Sequence, residues 1–131
     1  MKHRLSFANL NLLKGNIVEI IVDAGIEFSL EMMEEYEQFL ACHFNHEFCV
    51  LVNRVNEYSY SYEVQLSIAS NEKLKAIAVV NYSQQSKEST NKMNKLRSID
   101  GWNLTAFSGE AMGREKALSW LEKESEGIKI T

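Results

Sequence analysis

The fold follows from three short apolar runs: Phe48-Cys49-Val50-Leu51-Val52, Ala76-Ile77-Ala78-Val79-Val80 and Trp102-Asn103-Leu104-Thr105-Ala106-Phe107. Each run has the length and the branched or aromatic residues of a buried β-strand. The polar stretches between the runs are long enough to hold one helix each, which is the spacing of β-α-β crossovers. The sequence therefore predicts an α/β fold whose central strands are mostly parallel, with helices on both faces of the sheet.

Upstream of these runs, the pattern predicts an antiparallel β-hairpin. Residues 3–13 alternate in hydrophobicity only in part, as a strand with a bulge or break near Ala8-Asn9 would. Gly15-Asn16 is a typical two-residue turn, and Ile17–Val22 has the composition of the second strand. With the hairpin included, we expect a mixed sheet of about five strands.

Helical periodicity predicts four helices. Ser29 is the expected N-cap of the first helix, at residues 30–44. The second helix is short (61–69), with Tyr62, Leu66 and Ala69 facing inward. The remaining predicted elements are strands at 47–52, 74–81 and 102–107 and helices at 83–96 and 114–124.

Composition indicates one globular domain covering residues 1–131. The chain is 45% hydrophobic but contains no run approaching the roughly 20 apolar residues of a membrane span. Two cysteines are too few for a disulfide framework, and the N-terminal residues make a poor signal peptide, so we expect a cytoplasmic protein. The net charge of −4 argues against nucleic acid as a partner, because phosphate binding requires an excess of cations.

Charge is unevenly distributed along the chain. The acidic residues of one predicted face are Glu27, Glu31, Glu34, Glu35 and Glu37. The basic residues of a later segment are Lys87, Lys92, Lys95 and Arg97. These are either two solvated helix surfaces or two complementary patches that dock a second copy or another partner.

The element order, with a hairpin first and a small amphipathic helix last, resembles the SpoIIAA-like domains. That superfamily holds the STAS anti-sigma-factor antagonists and many small bacterial proteins. The segments that carry the resemblance are Val50-Leu51-Val52-Asn53, Ala76-Ile77-Ala78-Val79-Val80, and Phe107 followed by Glu115-Lys116-Ala117-Leu118-Ser119-Trp120-Leu121. The similarity covers about Ile17 to Glu124 and is one of apolar pattern. It implies a SpoIIAA-like fold and a regulatory role exerted by binding another protein.

The resemblance also implies an interaction or switch loop after the third strand. In STAS antagonists a partner kinase phosphorylates a serine there, and the phosphate charge toggles binding. The corresponding residues in this chain are Asn53, Arg54, Asn56, Tyr58, Ser59, Tyr60 and Ser61. The family's Asp-Ser-Ser/Thr-Gly signature is absent, and Glu57 and three tyrosines surround the two serines. Read from the residues alone, Ser59 or Ser61 caps the second helix.

A second expected site is a polar rim where the strands end, because ligands of open α/β sheets bind beyond the carboxyl ends of the strands. The rim residues are Asp23, Asn81, Tyr82, Ser83 and Ser108. Arg54 is the cation of this rim and favours an anionic ligand.

No stretch carries a catalytic or cofactor signature. The segment Cys42–Cys49 holds two cysteines and two histidines that could ligate a metal. So short a helix-to-strand turn would not aim these four side chains at one point, so we expect no metal and no cofactor. No nucleophile–base pair is visible, and we predict that the chain is not an enzyme.

These observations favour a non-catalytic, cytoplasmic interaction module. Its expected partner is another protein or a second copy, as in a homodimer, and its working face is the loop with Arg54 and the tyrosines. The alternative is a carrier of a small molecule or lipid that uses the strand-end rim.

Overall fold

The computed structural model describes residues 1–14, 16–68, 70–96, 103–110, 112–126 and 128. The elements in chain order are β1 (Lys2–Arg4), β2 (Ala8–Leu13), β3 (Ile17–Val22), β4 (Glu27–Phe28), α1 (Leu30–His43), β5 (Phe48–Arg54), β6 (Ser59–Tyr60), α2 (Tyr62–Ser67), β7 (Leu74–Asn81), α3 (Gln84–Leu96), β8 (Leu104–Ser108) and α4 (Gly113–Ser125). Gly15, Ala69, Arg97 and Trp102, for which the sequence made predictions, lie outside the described residues.

The described residues form one mixed sheet of six strands in the order β1-β2-β3-β5-β7-β8. β1, β2 and β3 pair antiparallel, whereas β3, β5, β7 and β8 pair parallel. Each parallel step is joined by a segment with one helix, as a crossover connection requires. The predicted α/β class, the hairpin and the parallel centre are therefore confirmed. This sheet has six strands, whereas about five were predicted.

The N-terminal segment differs from its prediction. Residues 3–13 do not form one bulged strand, because the chain turns back between β1 and β2 and pairs Lys2 with Asn11. Leu5 and Phe7 in this connection are buried. The change in hydrophobic alternation thus marks a reversal of the chain.

Helices cover both faces of the sheet, as predicted. Alternate residues of β5 divide between the two faces, with Phe48 and Val50 packed in the core under α1, and Cys49 and Leu51 in the core under α4. α1 begins at the predicted cap, where the Ser29 hydroxyl accepts a hydrogen bond from the Met32 N–H.

The second helix is placed differently from its prediction. α2 has six residues, and Val64 is its buried side chain, while Tyr62 and Leu66 are 65% and 49% exposed. The reason is a second, two-stranded sheet, in which β4 and β6 pair in parallel and set the direction in which α2 starts. Strands of two residues are too short for hydrophobic alternation to reveal.

Candidate functional site

β5 ends in two polar residues that point to opposite faces of the sheet. Asn53 and Arg54 are both buried, and successive residues of a strand face opposite ways. Each therefore belongs to a different buried polar cluster, one beneath α4 and one beneath α3.

The Glu19 cluster lies beneath α4 and consists of Glu19, Asn53 and Arg114. The Asn53 side-chain amide donates to Glu19 Oε2 at 2.9 Å. Arg114 donates from Nε to Oε2 and from Nη2 to Oε1, each at 2.8 Å. Burial opposes ionisation of Glu19, but these hydrogen bonds and the Arg114 charge outweigh it and lower the pKa of Glu19. The cluster is therefore an ion pair that fixes α4 to the sheet.

The Arg54 cluster lies beneath α3 and joins Arg54, Tyr58, Thr90 and Asn81. Arg54 Nη2 donates to the Tyr58 carbonyl at 3.0 Å, and Nη1 lies 3.4 Å from the Thr90 hydroxyl. Thr90 in turn donates to Asn81 Oδ1 at 3.0 Å. The guanidinium lies 4.5 Å from the centre of the Tyr58 ring and 5.4 Å from that of Tyr60. These described partners carry no negative charge, so the buried cation is held by dipoles and aromatic faces.

The interaction loop is largely internal. Tyr58 is buried, and its hydroxyl contacts that of Tyr60 at 3.0 Å. The Asn56 amide donates to the Val22 carbonyl at 3.0 Å, and Ser61 caps α2 by accepting from the Val64 N–H at 3.2 Å. Ser59 is the exposed member.

This arrangement corrects the expectation that Arg54 and Tyr58 are surface contacts, since both are enclosed by the chain. Ser61 carries out the capping role that the residues alone favoured. Binding of a partner by this loop stays a prediction.

Most rim residues lie together in one pocket of about 450 Å³ between α3 and β8, which we call the strand-end pocket. Its lining residues are Asn81, Tyr82, Ser83, Gln84, Lys87, Asn91, Ala106, Phe107, Ser108 and Glu110. Ser83 starts α3 by accepting from the Ser86 N–H at 3.1 Å and donates to Glu57 at 2.5 Å. The volume of the strand-end pocket lies within the range of about 300–1,000 Å³ that is usual for small-molecule sites.

Asp23 lies apart from this pocket. It forms a two-pronged ion pair with Arg4, with nitrogen–oxygen distances of 2.8 and 2.5 Å. The hydrogen bond from Arg4 lowers the pKa of Asp23. Asp23 therefore contacts β1 on the antiparallel side of the sheet and is not part of the rim around β7 and β8.

A second cavity lies within the core on the α1 side of the sheet. It has a volume of about 50 Å³ and an almost wholly apolar lining that includes Tyr36, Leu40, Val52, Val79 and Met93. By comparison, a cavity of about 150 Å³ in another protein accommodates benzene. The cavity therefore has no room for an acyl chain.

The two cysteines of the predicted ligand segment lie in different surroundings. Cys42 is exposed, whereas Cys49 is buried under α4. In the described part of the chain, no three side chains of His, Cys, Asp or Glu are placed to hold one metal ion. Burial raises the pKa of the Cys49 thiol to about 11, which keeps it protonated and unreactive at neutral pH.

Sequence reasoning missed Glu19, Thr90 and Arg114. Glu19 carries a visible signal, since it is one acidic residue inside the apolar strand Ile17–Val22. A carboxylate at such a position requires a buried partner. Its partner is 95 residues away along the chain, and no local pattern connects the two.

The chain matches no protein-family model, no curated protein and no solved structure. Among the described residues, no helix is long and apolar enough to cross a membrane.

Proposed function

We propose that this chain is a non-catalytic protein-interaction module of the SpoIIAA-like type, which binds a basic partner through the exposed starts of α1 and α2. The observation that carries the proposal is that three large apolar side chains at the starts of α1 and α2 are exposed: Leu30, Tyr62 and Leu66, here called the α1–α2 patch. Their exposed fractions are 46%, 65% and 49%. Large apolar side chains grouped on a surface are typical of binding sites.

The second sheet places the starts of α1 and α2 next to each other. Phe28 in β4 pairs with Tyr60 in β6, and both strands run in the same direction. Each strand is followed, two residues after its end, by the first residue of a helix: Leu30 after β4 and Tyr62 after β6. Leu66 follows Tyr62 by one turn on the same face of α2.

Charge indicates the chemistry of the partner. Neither Lys nor Arg occurs between Gly15 and Asn53, or between Val55 and Glu72. Glu27, Glu31 and Glu63, which adjoin the patch in sequence, are exposed. A partner that places an apolar side chain between Lys or Arg residues complements this surface.

We propose that the chain is not an enzyme because its buried tyrosine and cysteine side chains are not prepared for catalysis. Burial raises the pKa of Tyr36 and of Tyr58, as it does that of Cys49, so each stays protonated and none is prepared as a base or nucleophile. The SpoIIAA-like assignment is supported by the element order, namely a hairpin, parallel strands joined by helices, and a closing helix.

The test compares partners captured from the organism that encodes the chain. Bait proteins are the wild type, the double variant Tyr62→Ser with Leu66→Ser, and Met112→Ser as a matched control. Met112 is 68% exposed and belongs to a different surface. We expect a basic protein that binds the wild type and Met112→Ser, is released by high salt and fails to bind the double variant. Equal capture by all three baits would refute the proposal.

The carrier alternative is weaker for lipids, because the apolar cavity is only about 50 Å³. Native mass spectrometry of the purified chain separates the two functions. A co-purifying lipid would favour the carrier, whereas a mass equal to that of the chain favours the interaction module.

A further inference from the structure

Among the residues that the structure describes, the last strand of the sheet, β8, has no strand paired with its outer edge. The Ile77 N–H donates to the Asn103 carbonyl at 2.9 Å, and the Gly109 N–H donates to the Asn81 carbonyl at 2.7 Å. Odd-numbered residues of this segment therefore bond to β7, and the even-numbered Leu104 and Ala106 point their N–H and C=O groups outwards. No described strand pairs with that outer side.

The two edges of the sheet differ in how well their side chains prevent the addition of a further strand. β1, at the opposite edge, carries Lys2 and Arg4, and charged side chains on an edge discourage the addition of another strand. β8 has the sequence Leu104-Thr105-Ala106-Phe107-Ser108, without charge or proline. It is therefore the edge that is open to a further strand.

The strand-end pocket lies directly beside this edge. Ala106 pairs with Val79 and Ser108 with Asn81, so these side chains face the α3 side of the sheet and form the floor of the pocket. The wall from α3 consists of Gln84, Lys87 and Asn91, which are spaced along one helix face. A strand added to β8 would direct every second side chain towards this wall.

We propose that the β8 edge and the strand-end pocket bind an extended peptide of another protein, with an acidic side chain opposite Lys87. The charge of α3 supports the acidic residue. Its lysines Lys87, Lys92 and Lys95 are exposed, while its carboxylate Glu88 accepts a hydrogen bond from Gln84 at 3.3 Å. Glu110 also lines the strand-end pocket and would repel an acidic side chain placed next to it. Because Glu110 follows the end of β8, we place the acidic side chain of the peptide in the middle of the pocket, opposite Lys87. This surface is distinct from the α1–α2 patch, and the inference does not depend on that patch.

The probe is a fluorescent synthetic octapeptide of alternating valine and glutamate, titrated with the whole chain by anisotropy. A second peptide is methylated on the backbone nitrogens of alternate residues, which removes donors but keeps the side chains. A third has lysine in place of glutamate. We expect the acidic peptide to bind at least about tenfold more tightly than either, since several hydrogen bonds or charge contacts are lost in each comparison.

Two pairs of variants locate the site on the chain. Ala106→Pro removes an outward N–H without removing a bond to β7, whereas Ala106→Ser retains that N–H. Lys87→Glu reverses the charge in the pocket, and Lys92→Glu makes the same change at an exposed position outside the pocket lining. We expect Ala106→Pro and Lys87→Glu to lose binding of the acidic peptide about tenfold, and the two control variants to retain it.

Equal affinity for the methylated peptide, equal affinity for the lysine peptide, or no binding of the acidic peptide would overturn the proposal. If circular dichroism shows that Ala106→Pro is unfolded, the methylated peptide decides with the wild-type chain alone. If sedimentation shows a dimer that Ala106→Pro dissociates and Ala106→Ser does not, the edge pairs with a second copy and the proposal is also overturned.

Discussion

Arg114, in the first turn of α4, forms a two-pronged ion pair with Glu19 in the middle of β3, with both hydrogen bonds 2.8 Å long. The two residues are separated by 95 positions in the chain. α4 follows the edge strand β8 and packs back across β7, β5 and β3. The ion pair therefore sets how far the last helix reaches across the sheet.

We predict that Arg114→Met lowers the free energy of unfolding by about 3 kcal/mol, because it leaves a buried carboxylate with fewer partners. Arg114 is 34% exposed in its side chain, which places the effect at the lower end for buried pairs. Urea unfolding measures the change, with the exposed neighbour Lys116→Met as control. A midpoint for Arg114→Met equal to that of the control would contradict the prediction.

The same pair predicts a pH dependence. The pKa of Glu19 is lower in the folded chain than its ordinary value of 4.5, so the unfolded state binds more protons as the pH falls. The stabilisation is fully present above the unfolded pKa and is lost as the pH falls through the folded pKa of Glu19.

We therefore expect urea midpoints of the wild type to fall more steeply below about pH 5 than those of Arg114→Met. High salt separates this effect from that of the exposed Asp23–Arg4 pair, which is screened. Parallel pH profiles of the two proteins at high salt would rule out Glu19 as the source.

Local patterns were sufficient for the elements that the apolar runs define. β7 covers Leu74–Asn81 as predicted, because all of it except its first two residues is buried between two helical layers. The rim residues around β7 and β8 were also predictable, since the ends of neighbouring parallel strands meet at one edge of the sheet. Asp23 departed from that rule because Arg4 of β1 binds it.

The rest depended on contacts between distant segments. Arg54 resembles a surface cation in the sequence, but the folded chain encloses it with Tyr58 and Thr90. Tyr62 and Leu66 have helical spacing, yet the pairing of β4 with β6 turns them outwards. Neither outcome can be read from residues within one element.

Gly113 is predicted to be irreplaceable for steric reasons. A Cβ at this position would lie 1.6 Å from the Ser108 carbonyl oxygen, so α4 and the end of β8 could not keep their present approach. We expect Gly113→Ala to destabilise the chain by about 3 kcal/mol, the upper part of the usual range for overpacking.

Two comparison variants separate this clash from other effects. Gly25 has a φ of 78° and open space around it, so Gly25→Ala costs about 1–2 kcal/mol through its backbone conformation alone. Ser119→Ala, on the exposed side of α4, should change stability by less than about 0.5 kcal/mol. Thermal unfolding that ranks Gly113→Ala level with Ser119→Ala would show that the approach of α4 to β8 is not tight.

The final prediction concerns the buried cation Arg54. Its planar guanidinium lies 4.5 Å from the Tyr58 ring centre while donating to the Tyr58 carbonyl and contacting Thr90. A lysine ammonium is compact and more strongly hydrated, and it cannot reproduce this flat, forked contact. We expect Arg54→Lys to lower the free energy of unfolding by about 2 kcal/mol, the sum of one or two lost hydrogen bonds and a cation–π contact. Tyr58→Phe, which removes only the hydroxyl contact with Tyr60, should cost about 1 kcal/mol in the same urea titration. If Arg54→Lys proves as stable as the wild type, the charge alone, and not the shape of the guanidinium, accounts for arginine at the end of β5.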